Sequence, residues 1–454
     1  MKRSRVSFTL LLMFIGISCK QGSAGDYRKY SADPLLYCKT VKKLNDVVLE
    51  NNFPPMIGSR NYVYANIAAY ECVAAGSEDY NSLSGQIRHL PPMPQPGPGK
   101  EIDFSLAALF AFTKVGNAVT FPEGSMMNYY EELKKNAVKQ GIPSDVLSNS
   151  MEFSDSIVAA VLRWSKGDNY AQTRSAEKYT VRDEAGRWIP TPPMYGTAVE
   201  PHWCEVRTMV IDSASQFMPA RPPKYDLADT NSEFYKALLE VKNIGDSLTD
   251  EQKHIADFWD DNPFKMNVSG HIMFATKKFS PPGHWMNIVG IAAKSAGADF
   301  NTTVAAYTET AIAVYDAFIS CWDEKFRSNL VRPETVINQH LSDSWRPYIQ
   351  TPPFPSYTSG HATNSAAAAE VMTKWFGDTL SFTDTSLLEF GIANRQIKSF
   401  RGAAEEAALS RLYGGIHYRF DNENGAEAGK RLGEYIVTRL KMKNNQQLTT
   451  KRKS

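Results

Sequence analysis

The sequence predicts an all-α fold in which packed helical bundles are joined by long irregular connections. Apolar and small residues recur at helical spacing through most of the chain, strand signals are scarce, and no repeat period is evident. Residues 180–225 differ, because they are rich in Pro and Trp and have no sustained period. We therefore expect helices interrupted by one long irregular excursion, packed on the surface of the molecule.

Helix signals follow one another along the chain. Helices are predicted at 61–75, at 125–140, which Gly141 closes, at 144–166, at 303–326, at 362–376, which Gly377 closes, at 385–412 and at 424–441. The sequence from Thr249 to Gln252 (TDEQ) is a capping box, which predicts the start of another helix there. We expect these helices to pack together as bundles.

The N-terminus has the pattern of a targeting segment. Basic residues among the first five precede an apolar run at 6–17, which is too short to span a bilayer but fits a signal-peptide core. Cys19 then resembles the cleavage box of a bacterial lipoprotein, with Gly16 in place of the usual Leu. We expect export to the periplasm, the medium or the bacterial envelope, and both a lipid anchor at Cys19 and simple secretion stay open.

Charge and cysteine content exclude some classes of function. The chain has 50 Lys+Arg against 49 Asp+Glu, so it has no broad basic field and nucleic acid is not expected as a partner. The cysteines beyond Cys19 are far apart and form no CxxC pair: Cys38, Cys72, Cys204 and Cys321. We interpret them as buried free thiols, with one disulfide as the alternative in an exported protein.

Three short segments near the C-terminus carry residues that suit a bound oxyanion. They are 325–333 (KFRSNLVRP), 355–361 (PSYTSGH) and 410–421 (SRLYGGIHYRFD). Together they supply the cations Lys325, Arg332 and Arg411, a Ser359-Gly360 pair directly before a helix, the imidazoles of His361 and His417, and the carboxylate of Asp421. Several fixed cations and a helix N-terminus can neutralise a multiply charged anion.

The two histidines and Asp421 add chemistry to this set. One imidazole can bond to the central atom of the anion while the other moves protons. Asp421 lies four residues after His417, so its carboxylate can accept the other ring N–H and fix the tautomer. Each segment alone is explained by helix capping or a helix end, but the combination within about a hundred residues predicts an active site.

These segments resemble the superfamily that joins vanadium-dependent haloperoxidases to type-2 phosphatidic acid phosphatases. The family pattern is Lys-x6-Arg-Pro, then Pro-Ser-Gly-His, then Ser-Arg-x5-His-x3-Asp, and the chain matches it except that Thr358 stands where Pro is usual. The match is specific over the last 130 residues and looser upstream. The resemblance implies a helical core of that type at 226–440, after a signal segment at 1–25 and a helical N-terminal half at 26–225, and before a polar, frayed tail at 441–454.

The resemblance also implies a role for each matched residue. Vanadate would be the cofactor, held by Lys325, Arg332, Ser359, Gly360, Arg411 and His417, with His417 bonded to vanadium and Asp421 behind it. His361 and Lys325 would act in catalysis together with His417. Hydrogen peroxide and a halide would be the substrates, and hypohalous acid the product.

The alternative is a phosphomonoesterase of the acid phosphatase type, in which His417 forms a phosphohistidine at the same site. The peroxidase is favoured by two aromatic residues, Trp322 and Phe354, which we expect to form a halide pocket. It is also favoured by the single export signal, since the lipid phosphatases span the membrane several times, and by the length of the chain. Iodide is the expected halide, because it is the easiest to oxidise and bacterial relatives of this size resemble iodoperoxidases. No residue excludes bromide.

Four other histidines are interpreted as structural or surface groups: His254, His271, His284 and His340. Of these, His284 follows Pro281-Pro282-Gly283 and is the one we consider for the mouth of the pocket.

Overall fold

The fold is built almost entirely from α-helices, as the computed structural model of the chain shows. The structure describes residues 26–120, 124–182, 184–263, 265–269, 272–276 and 278–444. The signal segment, Cys19 and His271 lie outside the described residues. Within them, no helix is both long enough and apolar enough to cross a membrane.

Over the described residues, fifteen α-helices and two small antiparallel sheets follow one another along the chain. The helices of the first part are α1 Asp26–Ser31, α2 Pro34–Glu50, α3 Pro55–Ala75, α4 Phe104–Val119, α5 Ser125–Lys139, α6 Ser144–Ser165, α7 Tyr170–Thr173, α8 Glu233–Asp246 and α9 Asp250–Phe258. The later helices are α10 Pro281–Ser295, α11 Phe300–Ser328, α12 Pro333–His340, α13 Gly360–Phe376, α14 Phe400–Tyr413 and α15 Arg419–Arg439. Strands β1 Lys265–Ser269 and β2 Ile272–Thr276 form one sheet, and β3 Phe382–Asp384 and β4 Arg395–Ile397 form the other.

The all-α prediction is confirmed, and most of the predicted helices occur within a few residues of their expected bounds. The capping box is present, since the Thr249 side chain accepts from the Gln252 N–H and the Gln252 side chain accepts from the Thr249 N–H. Seven helices have no counterpart among the sequence predictions, namely α1, α2, α4, α7, α8, α10 and α12.

The prediction of one helix over 385–412 is wrong in its first half. Residues 385–399 form turns, a short 3-10 helix and β4, and α14 begins only at Phe400. Asp384 accepts bonds from the N–H and the hydroxyl of Ser386, and Ser399 caps Gly402. Such side chains compete with the backbone for hydrogen bonds. The bonds to Asp384 therefore disfavour a helix at 385, and the Ser399 cap sets the start of α14 at Phe400.

The excursion at 180–225 is irregular as predicted, but the prediction that it packs on the surface is wrong. Trp188, Trp203 and Ile211 are fully buried. The carboxylate of Asp316, in the middle of α11, accepts the N–H groups of residues 209, 210 and 211 at 2.6, 2.8 and 3.0 Å. Because a buried backbone must have its polar groups satisfied, this one carboxylate allows an irregular segment to enter the core.

The start of the polar tail is also ordered, contrary to the expected fraying from residue 441. Met442 is buried, its carbonyl accepts from Asn81 N–H at 2.9 Å, and Asn444 N–H donates to Asp79 O at 2.9 Å. The main hydrophobic core extends from Tyr27 to Met442 and so includes residues on both sides of residue 225. The proposed division into two halves stays a prediction.

Helix α13 lies at the centre of the second half, between α11, α14 and α15. Its contact with α15 is unusually close, because a Cβ placed on Gly429 would stand 2.1 Å from the Thr363 carbonyl oxygen. Glycine is therefore required there for the two helices to approach.

We predict that Gly429→Ala lowers the free energy of unfolding by about 1–3 kcal/mol, because the added methyl group must push the two helix backbones apart. Urea or thermal unfolding of the full chain measures it. Lys430→Ala, an exposed change on the same helix, is the control and should stay within about 0.5 kcal/mol of wild type. Equal stability of Gly429→Ala and wild type would contradict the close packing.

Candidate active site

The three motif segments meet at the ends of five helices. Lys325 lies near the end of α11, Arg332 precedes α12, His361 lies in the first turn of α13, Arg411 in the last turn of α14, and His417 precedes α15. His361, Arg411 and His417 line one cavity of about 70 Å³, together with Gly360. The predicted convergence of the motif residues is therefore present in the structure.

His417 is held in one tautomer by its neighbours. Its Nδ1 lies 2.8 Å from Asp421 Oδ2, which also accepts the Ser356 hydroxyl at 2.5 Å. Because Nδ1 then carries the hydrogen, Nε2 keeps its lone pair, and Arg332 Nη1 donates to it at 3.1 Å. Burial and the neighbouring cations hold the pKa of His417 well below its usual range, so the ring is neutral and its Nε2 can bond to an electrophilic centre.

The two arginines are buried cations with unsatisfied donors. Arg332 donates through Nε to Phe354 O and through Nη1 to Ile416 O, and Arg411 donates to Trp259 O at 2.5 Å. Arg332 Nη2 and Arg411 Nε are buried without a hydrogen-bond partner among the described residues. Burial lowers the pKa of Arg332 to about 9 and of Arg411 to about 10, so both guanidinium groups favour a bound anion as the missing partner.

Lys325 lies close to these arginines, but its contacts differ from those that the family resemblance implies. Its Nζ donates to the carbonyls of Pro355, Ser356 and Thr358 at 2.9, 3.0 and 2.6 Å. An ammonium group has three N–H donors, so all three are used by the backbone of the second motif. In this geometry Lys325 contributes charge and fixes the 355–358 loop, rather than directing a donor into the cavity.

Ser359 and Gly360 form the start of α13. Ser359 is fully buried, and its hydroxyl accepts from Ala362 N–H at 3.4 Å. The backbone N–H of Ser359 donates to the backbone carbonyl of Asp421 at 3.0 Å. Gly360, but not Ser359, lines the cavity. The first turn of a helix leaves backbone N–H groups free and carries partial positive charge, so Gly360 brings that charge to the cavity wall.

His361 is placed as a proton acceptor. Its side chain is 15% exposed, and Nε2 has no hydrogen-bond partner among the described residues while Asp261 Oδ2 lies 3.8 Å from it. Burial, with Arg411 and His284 nearby, holds the pKa of His361 well below its usual range. A neutral imidazole at the cavity wall can take a proton from a bound acid.

The two aromatic residues predicted as a halide pocket lie beside the cations. The rings of Trp322 and Phe354 are 5.1 Å apart and both line the cavity. Lys325 Nζ stands 5.0 Å from the centre of the Phe354 ring, and Trp322 Nε1 donates to Val199 O at 3.1 Å. One wall of the cavity is thus apolar and polarisable, and the irregular excursion completes it through Val199.

Sequence reasoning missed part of the site. Asp260 and Asp261, which follow α9, line the cavity, and no role was predicted for them. Ser356, for which no role was predicted, donates to Asp421, and His284, which we considered for the mouth of the pocket, instead lies behind Asp261 at 3.0 Å and does not line the cavity. The sequence held one signal for this part of the site, namely two consecutive acidic residues before Asn262-Pro263. A pair of carboxylates after a helix has no partner within its own segment, so it indicates a contact with another part of the chain.

The geometry suits a tetrahedral oxyanion bonded to a histidine. Within the described part of the chain, no group of three or more His, Cys, Asp and Glu residues could hold a bare metal ion. Arg411, the helix start at Gly360 and the rings of His361 and His417 instead line one small cavity, and Arg332 donates to His417 Nε2. Vanadate and phosphate have the shape and charge that this set of donors requires.

The comparisons with known proteins agree with this geometry. Residues 338–446 match the family model of the second helical-bundle domain of vanadium chloroperoxidases. The crystal structure of a bacterial vanadium-dependent iodoperoxidase is similar with 43% identity and a TM-score of 0.86, covering 91% of this chain and 98% of that one. No curated protein matches the chain.

Two more distant structures are similar in fold. They are the holo and apo forms of a bacterial vanadium-dependent chloroperoxidase, with 16% and 17% identity and TM-scores of 0.62 and 0.63. Each covers 85% of this chain, and the matched parts are 92% and 94% of those chains.

We predict that phosphate raises the melting temperature of the wild-type chain and that Arg411→Met removes this effect. A ligand that binds only the folded state stabilises it by about 2.7 kcal/mol at a hundred times its Kd, and Arg411 supplies a buried cation for it. Differential scanning calorimetry with and without phosphate measures the shift. Arg419→Met, which removes an arginine paired with Glu240 outside the cavity, should keep the shift; a full phosphate shift in Arg411→Met would count against the site.

Proposed function

The chain belongs to the vanadium-dependent haloperoxidases, and on that premise we propose that it oxidises iodide with hydrogen peroxide to hypoiodous acid. The observation that carries the proposal is the arrangement of His417, Arg411 and His361 around one small cavity with an aromatic wall, with Arg332 bonded to His417. The similar iodoperoxidase, at 43% identity, supports iodide as the halide. Iodide is also the halide that is easiest to oxidise.

Vanadate fits the residues of the cavity. His417 Nε2 would bond to it with the lone pair that otherwise accepts from Arg332 Nη1. The buried donors of Arg332 and Arg411 that lack partners would bind its oxygens, and the helix start at Gly360 would complete the set. Lys325 would keep the loop of the second motif in place and add positive charge. When bound, vanadate supplies a Lewis-acidic centre that activates peroxide toward a halide.

The side chains then have separate tasks. His361 accepts a proton from incoming hydrogen peroxide, because its ring is neutral and its Nε2 has no partner among the described residues. Asp421 accepts a hydrogen bond from Nδ1–H of His417, so that the unprotonated Nε2 is the nitrogen that faces the anion. Trp322 and Phe354 keep water out of one side of the cavity and offer a polarisable surface to a large, weakly hydrated halide.

We predict that the purified chain oxidises iodide only when vanadate and peroxide are both present, and that phosphate inhibits by competing for the same cations. Triiodide absorbance measures the reaction. Hydrolysis of p-nitrophenyl phosphate is measured beside it, because the alternative phosphomonoesterase would use the same residues. Phosphate release that vanadate inhibits, without iodide oxidation, would overturn the proposal in favour of the phosphatase.

We predict different losses for the two histidines. His417→Ala should abolish stable vanadate binding and with it all activity, because the bond to the central atom is gone. His361→Ala should still bind vanadate but lose about 10²–10⁴-fold in kcat/KM for peroxide, as expected for a missing acid–base group. Equilibrium dialysis of vanadate separates the two effects. Full peroxidase activity in His361→Ala would show that another group takes the proton.

A further inference from the structure

His284 is a buried imidazole held between two carboxylates. It lies in the first turn of α10 and is fully buried. Its Nδ1 stands 3.0 and 3.1 Å from the two oxygens of Asp261, and its Nε2 stands 3.0 Å from Asp384 Oδ2. Both ring nitrogens therefore face acceptors, which only the doubly protonated ring can satisfy.

The charge of this ring follows from its surroundings. Burial alone lowers the pKa of His284, but the two carboxylates outweigh burial and raise it to about 10. Asp384 is buried as well, and its charge is supported by His284 and by the N–H and hydroxyl of Ser386. The group of Asp261, His284 and Asp384 thus has two negative charges and one positive charge near neutral pH.

This group touches the active site through the segment 259–261. Asp261 lines the cavity and its Oδ2 lies 3.8 Å from His361 Nε2. Trp259 stacks on the His284 ring at 4.7 Å with an angle of 28°, and its carbonyl accepts from Arg411. His284 therefore contacts both ends of the segment that faces His361 and Arg411.

We propose that His284 is a positioning residue of the active site, which fixes the segment 259–261 and sets the net charge behind His361 and the bound oxyanion. This inference rests on the proposed roles of His361 and Arg411. His284 connects three parts of the chain that are distant in sequence, namely the end of α9, the start of α10 and β3. Without its positive charge, Asp261 would present an uncompensated carboxylate to the cavity.

The charged groups around His361 determine the expected direction of change. Asp261 faces it from the end of α9, His284 from α10, Lys325 from α11 and Arg411 from α14. His284→Gln removes a positive charge, keeps a hydrogen-bond donor and makes the group more negative. Asp384→Asn removes a negative charge and makes it less negative. The two variants should therefore move anion affinity in opposite directions.

The experiment measures vanadate affinity of the full chain by isothermal titration calorimetry, without peroxide or halide. His284→Gln should bind vanadate on the order of tenfold more weakly, as expected for one unit charge at this range in a protein interior. Asp384→Asn should bind it at least as tightly as wild type. His202→Gln, an exposed histidine paired with Glu205, is the matched control and should leave the affinity unchanged.

A second readout is the acid limb of the pH profile of kcat/KM for peroxide. His284→Gln should move it to higher pH, because His361 then gains a proton more easily, and Asp384→Asn should move it to lower pH. Weaker binding in both variants, shifts of the pH profile in the same direction, or wild-type affinity in His284→Gln would overturn the proposal. Vanadate binding that follows the prediction without any iodide oxidation would count against the proposed function, and not against the role of His284.

Discussion

Buried positive charge without enough negative partners is the constraint on which this site depends. Lys325 and Arg332 are fully inaccessible to solvent and Arg411 nearly so. Asp421, the carboxylate beside them, is bonded to His417 and Ser356 rather than to a guanidinium group. Since an unpaired buried charge is costly, an anion bound in the cavity would stabilise the folded chain. The identity of the ligand is thus set in part by the stability of the fold.

The helix packing places these charges at one point. Gly425 allows α15 to approach the start of α13, because a Cβ there would stand 3.1 Å from the Ser359 carbonyl. That approach brings Asp421, in the first turn of α15, against the N-terminus of α13. There the backbone carbonyl of Asp421 accepts from Ser359 N–H. In the preceding turn, Gly415 has a φ of +75°, a left-handed conformation that glycine adopts without strain. Small residues therefore decide where the imidazole of His417 lies.

The sequence could predict the parts of the site that are encoded locally. The spacing of Arg411 and His417 around two glycines, and the start of a helix after Ser359, are visible in the sequence, and the structure has both. Asp261 and His284 could not be predicted, because their contact joins segments that only the tertiary fold brings together. The burial of the irregular excursion depends in the same way on Asp316, a single carboxylate about a hundred residues away. The use of all Lys325 donors by backbone carbonyls likewise follows from a loop shape that no spacing encodes.

The cations bind vanadate and phosphate alike, so the choice between oxidation and hydrolysis must come from the walls of the cavity. A phosphatase needs room for an organic leaving group and a protonated imidazole to assist its departure. Here the cavity is about 70 Å³ and is bounded by Trp322 and Phe354, which suits small inorganic reactants. Burial and the neighbouring charges keep His361 neutral, which suits acceptance of a proton from peroxide. These walls support the proposed reaction of peroxide with a halide, and on that proposal Asp261 with His284 behind it is part of what separates the two chemistries.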